Sequence, residues 1–184
     1  MTEQMRRRRA LMGAQTSADD PYLYKDGVIS PILGGFNTTG YKRDPNRYGQ
    51  DIENDALYIY SLDQFTNPGG RTFTSDNALP TSMVGKTLHV KGIVSNTSGN
   101  GGRSYIYFFV SETVTDDSSA VSPTNSSAFT NSIYKSYYTG DMASGASKEF
   151  ELSTELTQGG YLSLVMYKNY NGKLSVRFKE VWVE

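Results

Sequence analysis

Cysteine is absent from this 184-residue chain. No disulfide can therefore staple the fold, and no thiolate can bind a metal or carry redox chemistry. Histidine occurs once, as His89, so a Ser-His-Asp triad or a histidine metal cluster would have to be built around that single residue. Long hydrophobic runs are missing too. The longest apolar-rich stretch, Tyr105 to Val110, falls far short of the roughly 20 residues that span a bilayer. Charge of one sign is not in excess: 18 Lys and Arg face 19 Asp and Glu, for a net charge of −1. The body thus carries no basic stripe of the kind a nucleic-acid binder shows. There is no nucleophile elbow and no phosphate loop. The glycine clusters at Gly34-Gly35 and Gly99 to Gly102 lack the residues of a nucleotide site and are explained by turns.

What is present is a composition suited to one β-sandwich. Hydrophobic residues make up 37% of the chain and charged residues 20%, and Ser, Thr, Asn, Gly and Tyr are abundant, as in proteins with many strands and turns. Three zones are expected: an N-terminal basic attachment arm over 1–20, an extended Gly/Asn-rich connecting segment over 21–54, and a β-sandwich domain over 55–184. Glu3 to Met12 consists of good helix formers, so the arm is expected to be helical or extended, and a helix of two or three turns needs a partner surface to persist. Met1 to Met12 has the charge of a signal peptide without its apolar stretch of about 7 to 15 residues, so no signal peptide is expected. Arg6, Arg7, Arg8 and Arg9, with Leu11, fit docking onto an acidic protein groove or a solvated tail better than nucleic-acid contact.

From Leu57 onward, side chains alternate with the period of two that marks strands. Leu57 to Leu62 reads as one strand. Lys86 to Ser95 reads as another, with Leu88, Val90 and Val94 on one face and His89, Lys91 and Ile93 on the other. The glycine-rich Asn96 to Arg103 predicts a tight hairpin into Ser104 to Glu112. That strand is apolar or aromatic on both faces, which predicts a central position with its outer face covered. Thr113 to Asn131 reads as a polar loop. Phe150 and Leu152, then Leu162, Leu164 and Met166, then Leu174, Val176 and Phe178 predict three half-buried strands. The Asn171-Gly172 pair predicts a hairpin turn between the last two. Around Lys179 and Glu180 the alternation breaks, predicting a bulge or a covered edge.

The segments Gly85 to Gly92, Lys148 to Leu152, Gly160 to Val165 and Leu174 to Phe178, in that order, resemble the galactose-binding-like jelly roll common in carbohydrate-binding modules. The resemblance implies an all-β, antiparallel β-sandwich. The front of the chain, Met5 to Met12 followed by Tyr22 to Gly27 and Gly34-Gly35, resembles short tail-associated proteins of phages and prophages of Gram-positive gut bacteria. This second resemblance implies a virion structural protein located in the phage tail, attached through its arm to other tail proteins. Neither resemblance transfers a functional residue.

Candidate binding residues come from the 14 tyrosines. Aromatic faces stack on the C–H side of sugar rings while amides and charged groups bond the hydroxyls. Tyr134, Tyr137 and Tyr138, and the segment Tyr167, Asn169, Tyr170 and Asn171, are therefore expected to be recognition loops for a cell-surface glycan, and sheet or loop packing is the competing role for each. Avidity from several displayed copies predicts a homo-oligomer. No catalytic residue and no cofactor is expected. Asp51, Glu53 and Asp55 present oxygens of the kind a structural calcium takes. Those acids, and Asp116 and Asp117, also raise the alternative of a glycan hydrolase or esterase, although in polar loops they read as solvated charge. A stand-alone glycan-binding module is a further alternative, as is an adaptor whose tyrosines contact only protein.

Overall fold

The computed structural model describes residues 21–53, 56–64, 68–99 and 101–184. Among them are twelve strands and no α-helix. In chain order the strands are β1 (Tyr22–Lys25), β2 (Val28–Ile29), β3 (Phe36–Asn37), β4 (Tyr48–Glu53), β5 (Ala56–Ser61) and β6 (Gly69–Leu79). They continue with β7 (Thr87–Asn96), β8 (Ser104–Val114), β9 (Phe129–Tyr138), β10 (Ser147–Glu155), β11 (Gly160–Lys168) and β12 (Leu174–Val183).

Two antiparallel sheets form a sandwich. One has seven strands in the order β10-β7-β12-β1-β2, with β5 also on β12 and β4 outside β5; the other has five, β3-β6-β11-β8-β9. Along its length β12 changes neighbour, pairing with β5 over Ser175 to Phe178 and with β1 from Glu180. The register slips between Phe178 and Glu180, where the broken alternation predicted a bulge. An extra residue there turns the strand toward its second partner.

Alternation places one face of each strand in a shared core. Leu88, Val90, Val94, Val176 and Phe178 meet Ile106, Phe108, Leu162, Leu164 and Met166 from the opposite sheet, all at most 1% exposed. Truncating a ring such as Phe108 to alanine costs about 3–5 kcal/mol, combining lost transfer energy with the cavity left behind. β8 is central and covered on both faces, as its double apolar pattern requires.

The connections differ from expectation. The segment 21–54, expected as a connector, supplies β1 to β4, and these pair into both sheets. Neither expected hairpin forms. β7 and β12 lie in the seven-stranded sheet while β8 and β11 lie in the five-stranded one, so the links that leave β7 and β11 arch between sheets. Glycine at positive φ specifies that the chain reverses, as at Gly99 (φ +84°) and Gly172 (φ +107°), but not which sheet receives the next strand. The two arches brace each other: Lys173 N–H donates to the Ser98 carbonyl at 2.7 Å, and Thr97 N–H to that of Lys173 at 2.9 Å. β6, whose start reads as turn-rich, is an eleven-residue strand. The arm 1–20 lies outside the described residues.

Candidate functional site

The outer face of the five-stranded sheet is aromatic. Tyr105, Tyr107 and Phe109 alternate along β8, and the register sets them opposite Tyr138, Ser136 and Tyr134 of β9. On the other flank of β8, Tyr105 pairs with Tyr167 and Tyr107 with Val165 of β11. Rings stack across the strands, with centroids 4.6 Å apart for Tyr105 and Tyr138, 5.3 Å for Phe109 and Tyr134, and 4.2 Å for Phe109 and Phe129. Such cross-strand aromatic pairs stabilise the sheet beyond their buried area.

Two loops cover half of this face. The segment around Tyr41 bridges to Asp117, and its backbone is tied by the Lys42 N–H to the Asp117 carbonyl and the Asp117 N–H to that of Gly40, each at 3.2 Å. Tyr41, fully buried, packs with Tyr107, Phe109, Ala128 and Tyr167. Burial pushes the Tyr107 phenol up to about 12 and that of Tyr41 higher still.

Asp117 organises the second loop. One carboxylate oxygen accepts the Ser119 N–H (2.9 Å), the Ser119 hydroxyl (2.8 Å) and the Ala120 N–H (3.3 Å). The other accepts the Ser126 hydroxyl (2.7 Å), the Ser127 N–H (2.9 Å) and the Ser127 hydroxyl (3.2 Å). These donors, led by the Ser126 and Ser119 hydroxyls, hold its pKa well below the ordinary carboxylate value. Asp117 is therefore a buried structural anchor, not the solvated charge its polar surroundings predict. A carboxylate saturated by six donors is also unsuited to general acid or base work.

The β9 side of the face stays open. Tyr134 and Tyr138 are 51% and 46% exposed, each with one ring face resting on a β8 ring. At the Tyr138 end, Arg103 makes a two-pronged ion pair with Asp141, with Nη2 3.1 Å from Oδ2. The Arg103 guanidinium also lies over the half-exposed Tyr170 ring at 4.7 Å. Their hydrogen bonding raises the arginine pKa and lowers that of the aspartate, so both stay charged. Asn169 joins this end through its N–H to the Arg103 carbonyl at 3.4 Å.

Of the expected recognition residues, the structure thus brings together Tyr134, Tyr138, Asn169 and Tyr170, with Asn171 in the adjoining arch. Tyr167 lies on the same face but is only 7% exposed. Tyr137 points the other way, stacking on Phe150 at 5.7 Å against the core. The tyrosines at 134, 137, 138 and 167 belong to strands β9 and β11, where loops were expected. Alternation along β9 then separates Tyr137 from its neighbours. Tyr105, Tyr107, Arg103 and Asp141 were missed. The first two were visible as the second aromatic face of β8, whereas no local signal joins Arg103 to Asp141, 38 positions away.

The other candidates lie elsewhere. His89 faces outward on the seven-stranded sheet, stacked on Trp182 at 4.6 Å, with Nε2 3.1 Å from a Glu184 carboxylate oxygen. Asp51 is exposed on β4, while the Glu53 side chain and Asp55 lie outside the described residues. Asp116 reaches Lys42 at 2.5 Å. Among the described residues no group of three or more acids and histidines is placed to hold a metal. None of their helices is long and apolar enough to cross a membrane. Arg6, Arg7, Arg8, Arg9 and Leu11 fall outside the described residues.

No family model and no curated protein sequence matches the chain. Solved structures do resemble it. A family 28 carbohydrate-binding module specific for non-crystalline cellulose aligns over 92% of this chain and 96% of its own, with 11% identity and a TM-score of 0.51. A carbohydrate-binding module of the β-sandwich superfamily aligns over 93% of this chain and 63% of its own (13% identity, TM-score 0.46). The enzymatically active domain of bacteriophage CBA120 tailspike protein 4 aligns over 89% of this chain and 22% of its own (10% identity, TM-score 0.46). The likeness to the first is one of fold: both chains are antiparallel β-sandwiches.

Proposed function

We propose that this chain is a non-catalytic glycan-binding sandwich that recognises its ligand on the open half of the tyrosine face. The observation that carries the reading is the pair of exposed rings on β9, Tyr138 stacked on Tyr105 and Tyr134 stacked on the buried Phe109. Four residues apart on β9, they stand about 14 Å from each other at the strand rise of ~3.4 Å per residue, so an extended oligosaccharide can lie across both. Because their inner faces already rest on Tyr105 and Phe109, little side-chain freedom remains to be lost on binding. Arg103, Asp141 and the Asn169–Asn171 arch supply donors and acceptors at one end. Asp141 is engaged by Arg103, and His89 lies on the other sheet, so the face offers rings and hydrogen-bonding groups in place of an acid–base pair.

A glycan array followed by titration calorimetry tests this reading. Tyr138→Ala is expected to weaken binding about tenfold, the scale of one aromatic stacking contact of ~1.4 kcal/mol, with Tyr137→Phe unchanged. If no glycan binds even at multivalent display, the tyrosines serve protein contacts and the reading fails. Attachment of several copies to a phage tail through 1–20 extends the proposal, since avidity compensates for a weak single site. Deleting that arm should then abolish incorporation into particles while leaving monovalent binding intact.

A further inference from the structure

The outer face of the seven-stranded sheet holds a groove of about 430 Å³, bordered by β4, β5 and β12 and by the arch residues Thr97 and Lys173. Sheet register explains why it opens there. Across the strands, Gly49 stands beside Tyr60, Tyr60 beside Ser175, and Ser175 beside Ser95. Gly49 has no side chain, and a Cβ at that position would overlap the Tyr60 ring. The ring therefore lies across β4, away from β12, and leaves the space above Ser175 unfilled. The row of small hydroxyl side chains continues outward, with Ser95 and Ser147 hydrogen-bonded at 2.8 Å.

The walls differ in chemistry. On one side Tyr58 and Tyr60 stack at 4.8 Å, with the Arg177 guanidinium 3.9 Å from the Tyr58 centroid. On the other stands the exposed Lys173, whose ammonium has no ion pair among the described residues. Alternation places Lys173, Ser175 and Arg177 on one face, so a hydroxyl floor is bracketed by two cations roughly 13 Å apart along the strand. Asp51 is the acid among the lining residues, and it sits beside Tyr58, remote from Lys173. The lining thus combines a flat aromatic wall, hydroxyls and an excess of positive charge.

We infer that this groove is a second saccharide site, selective for a carboxylated sugar. Its pyranose ring packs on Tyr60, its hydroxyls meet Ser175 and Thr97, and its carboxylate is bound by Lys173. Tyr60 supplies the apolar face that a simple anion site does not need, and Lys173 supplies the charge that a neutral-sugar site does not need. The groove lies on the opposite sheet from Tyr138, so it stands or falls independently of the tyrosine face.

The test is calorimetric titration of the full chain with tri-galacturonic acid, a hyaluronan tetrasaccharide and 3′-sialyllactose, with cellotriose and inorganic phosphate as controls. At least one acidic saccharide should bind more tightly than both controls and weaken as salt is raised from about 0.05 to 0.5 M. Lys173→Gln should reduce that affinity about tenfold, one charge-assisted hydrogen bond, while Tyr138→Ala leaves it unchanged. Gly49→Ala, with its unfolding temperature measured alongside, should swing Tyr60 into the groove and abolish binding in a folded protein. Failure of all three saccharides to bind, equal binding of phosphate, insensitivity to Lys173→Gln, or loss in Tyr138→Ala would each overturn the assignment.

Discussion

Replacing Asp117 by asparagine exchanges one carboxylate oxygen for an NH₂ group and should cost about 3 kcal/mol. The carboxylate accepts six hydrogen bonds, three at each oxygen, and three of those donors are backbone N–H groups of Ser119, Ala120 and Ser127. An amide presents only one acceptor. Whichever way it turns, its NH₂ faces at least one backbone donor that cannot rotate away, while the serine hydroxyls can reorient. Losing roughly two charge-assisted bonds at about 1.5 kcal/mol each gives the figure. For a chain of this size it corresponds to a fall in unfolding temperature of about 9 °C. Calorimetry at pH 7 reads it directly, and hydrogen exchange should show protection lost first at Ser119, Ala120 and Ser127. Acid reports on the same group. Its folded pKa lies below the unfolded value of 3.8, so the stabilisation is complete above about pH 4 and is lost as pH falls through the folded value. The wild-type chain should therefore lose stability more steeply below pH 4 than the variant. An unfolding temperature within about 2 °C of wild type, or identical acid limbs, would refute the anchoring role.

Alkaline pH should produce a maximum in stability. Burial lowers the Lys168 pKa from 10.5 to about 8, so between those values the unfolded chain binds more protons and stability rises with pH. Burial raises the Tyr41 and Tyr48 phenols above 10.0, so stability falls once unfolded tyrosines ionise. Denaturation titrations from pH 7 to 11 should peak near pH 10, and Lys168→Met should remove the rise but not the fall. Gly70→Ala places a Cβ against the Met166 carbonyl across the β6–β11 pairing. Backbone must move to relieve it, so a loss of about 2 kcal/mol or more is expected by urea denaturation, and a neutral result would contradict the register.

Strand identity was legible where one face of a strand is buried and the other wet. Leu88, Val90 and Val94, or Leu174, Val176 and Phe178, declare their inward face by simple alternation, and the bulge after Phe178 showed as a break in it. β6 escaped because its glycines and hydroxyls, Gly69, Gly70, Thr72 and Thr74, carry little hydrophobic signal; they are buried by loops that fold over them, as the Thr72 hydroxyl bond to the Tyr41 carbonyl shows. Likewise, Tyr134 and Tyr138 were found by residue type, but their separation from Tyr137 required knowing that 129–138 is a strand.

The sequence by itself determined an all-β chain, without thiol chemistry or any apolar run of membrane-spanning length, whose core residues repeat every second position. That much follows from local rules, since a side chain's face is set by the pleat and a glycine's reversal by its own φ. Only the tertiary structure decided which strands share a sheet, which half of the tyrosine face stays open, and that Asp117 is an anchor. Arg103 with Asp141, and Gly49 with Tyr60 and Ser175, are brought together by pairing between strands distant along the chain. The energy that selects those pairings comes from burying both sheets against each other, a property of the whole molecule that no short segment contains.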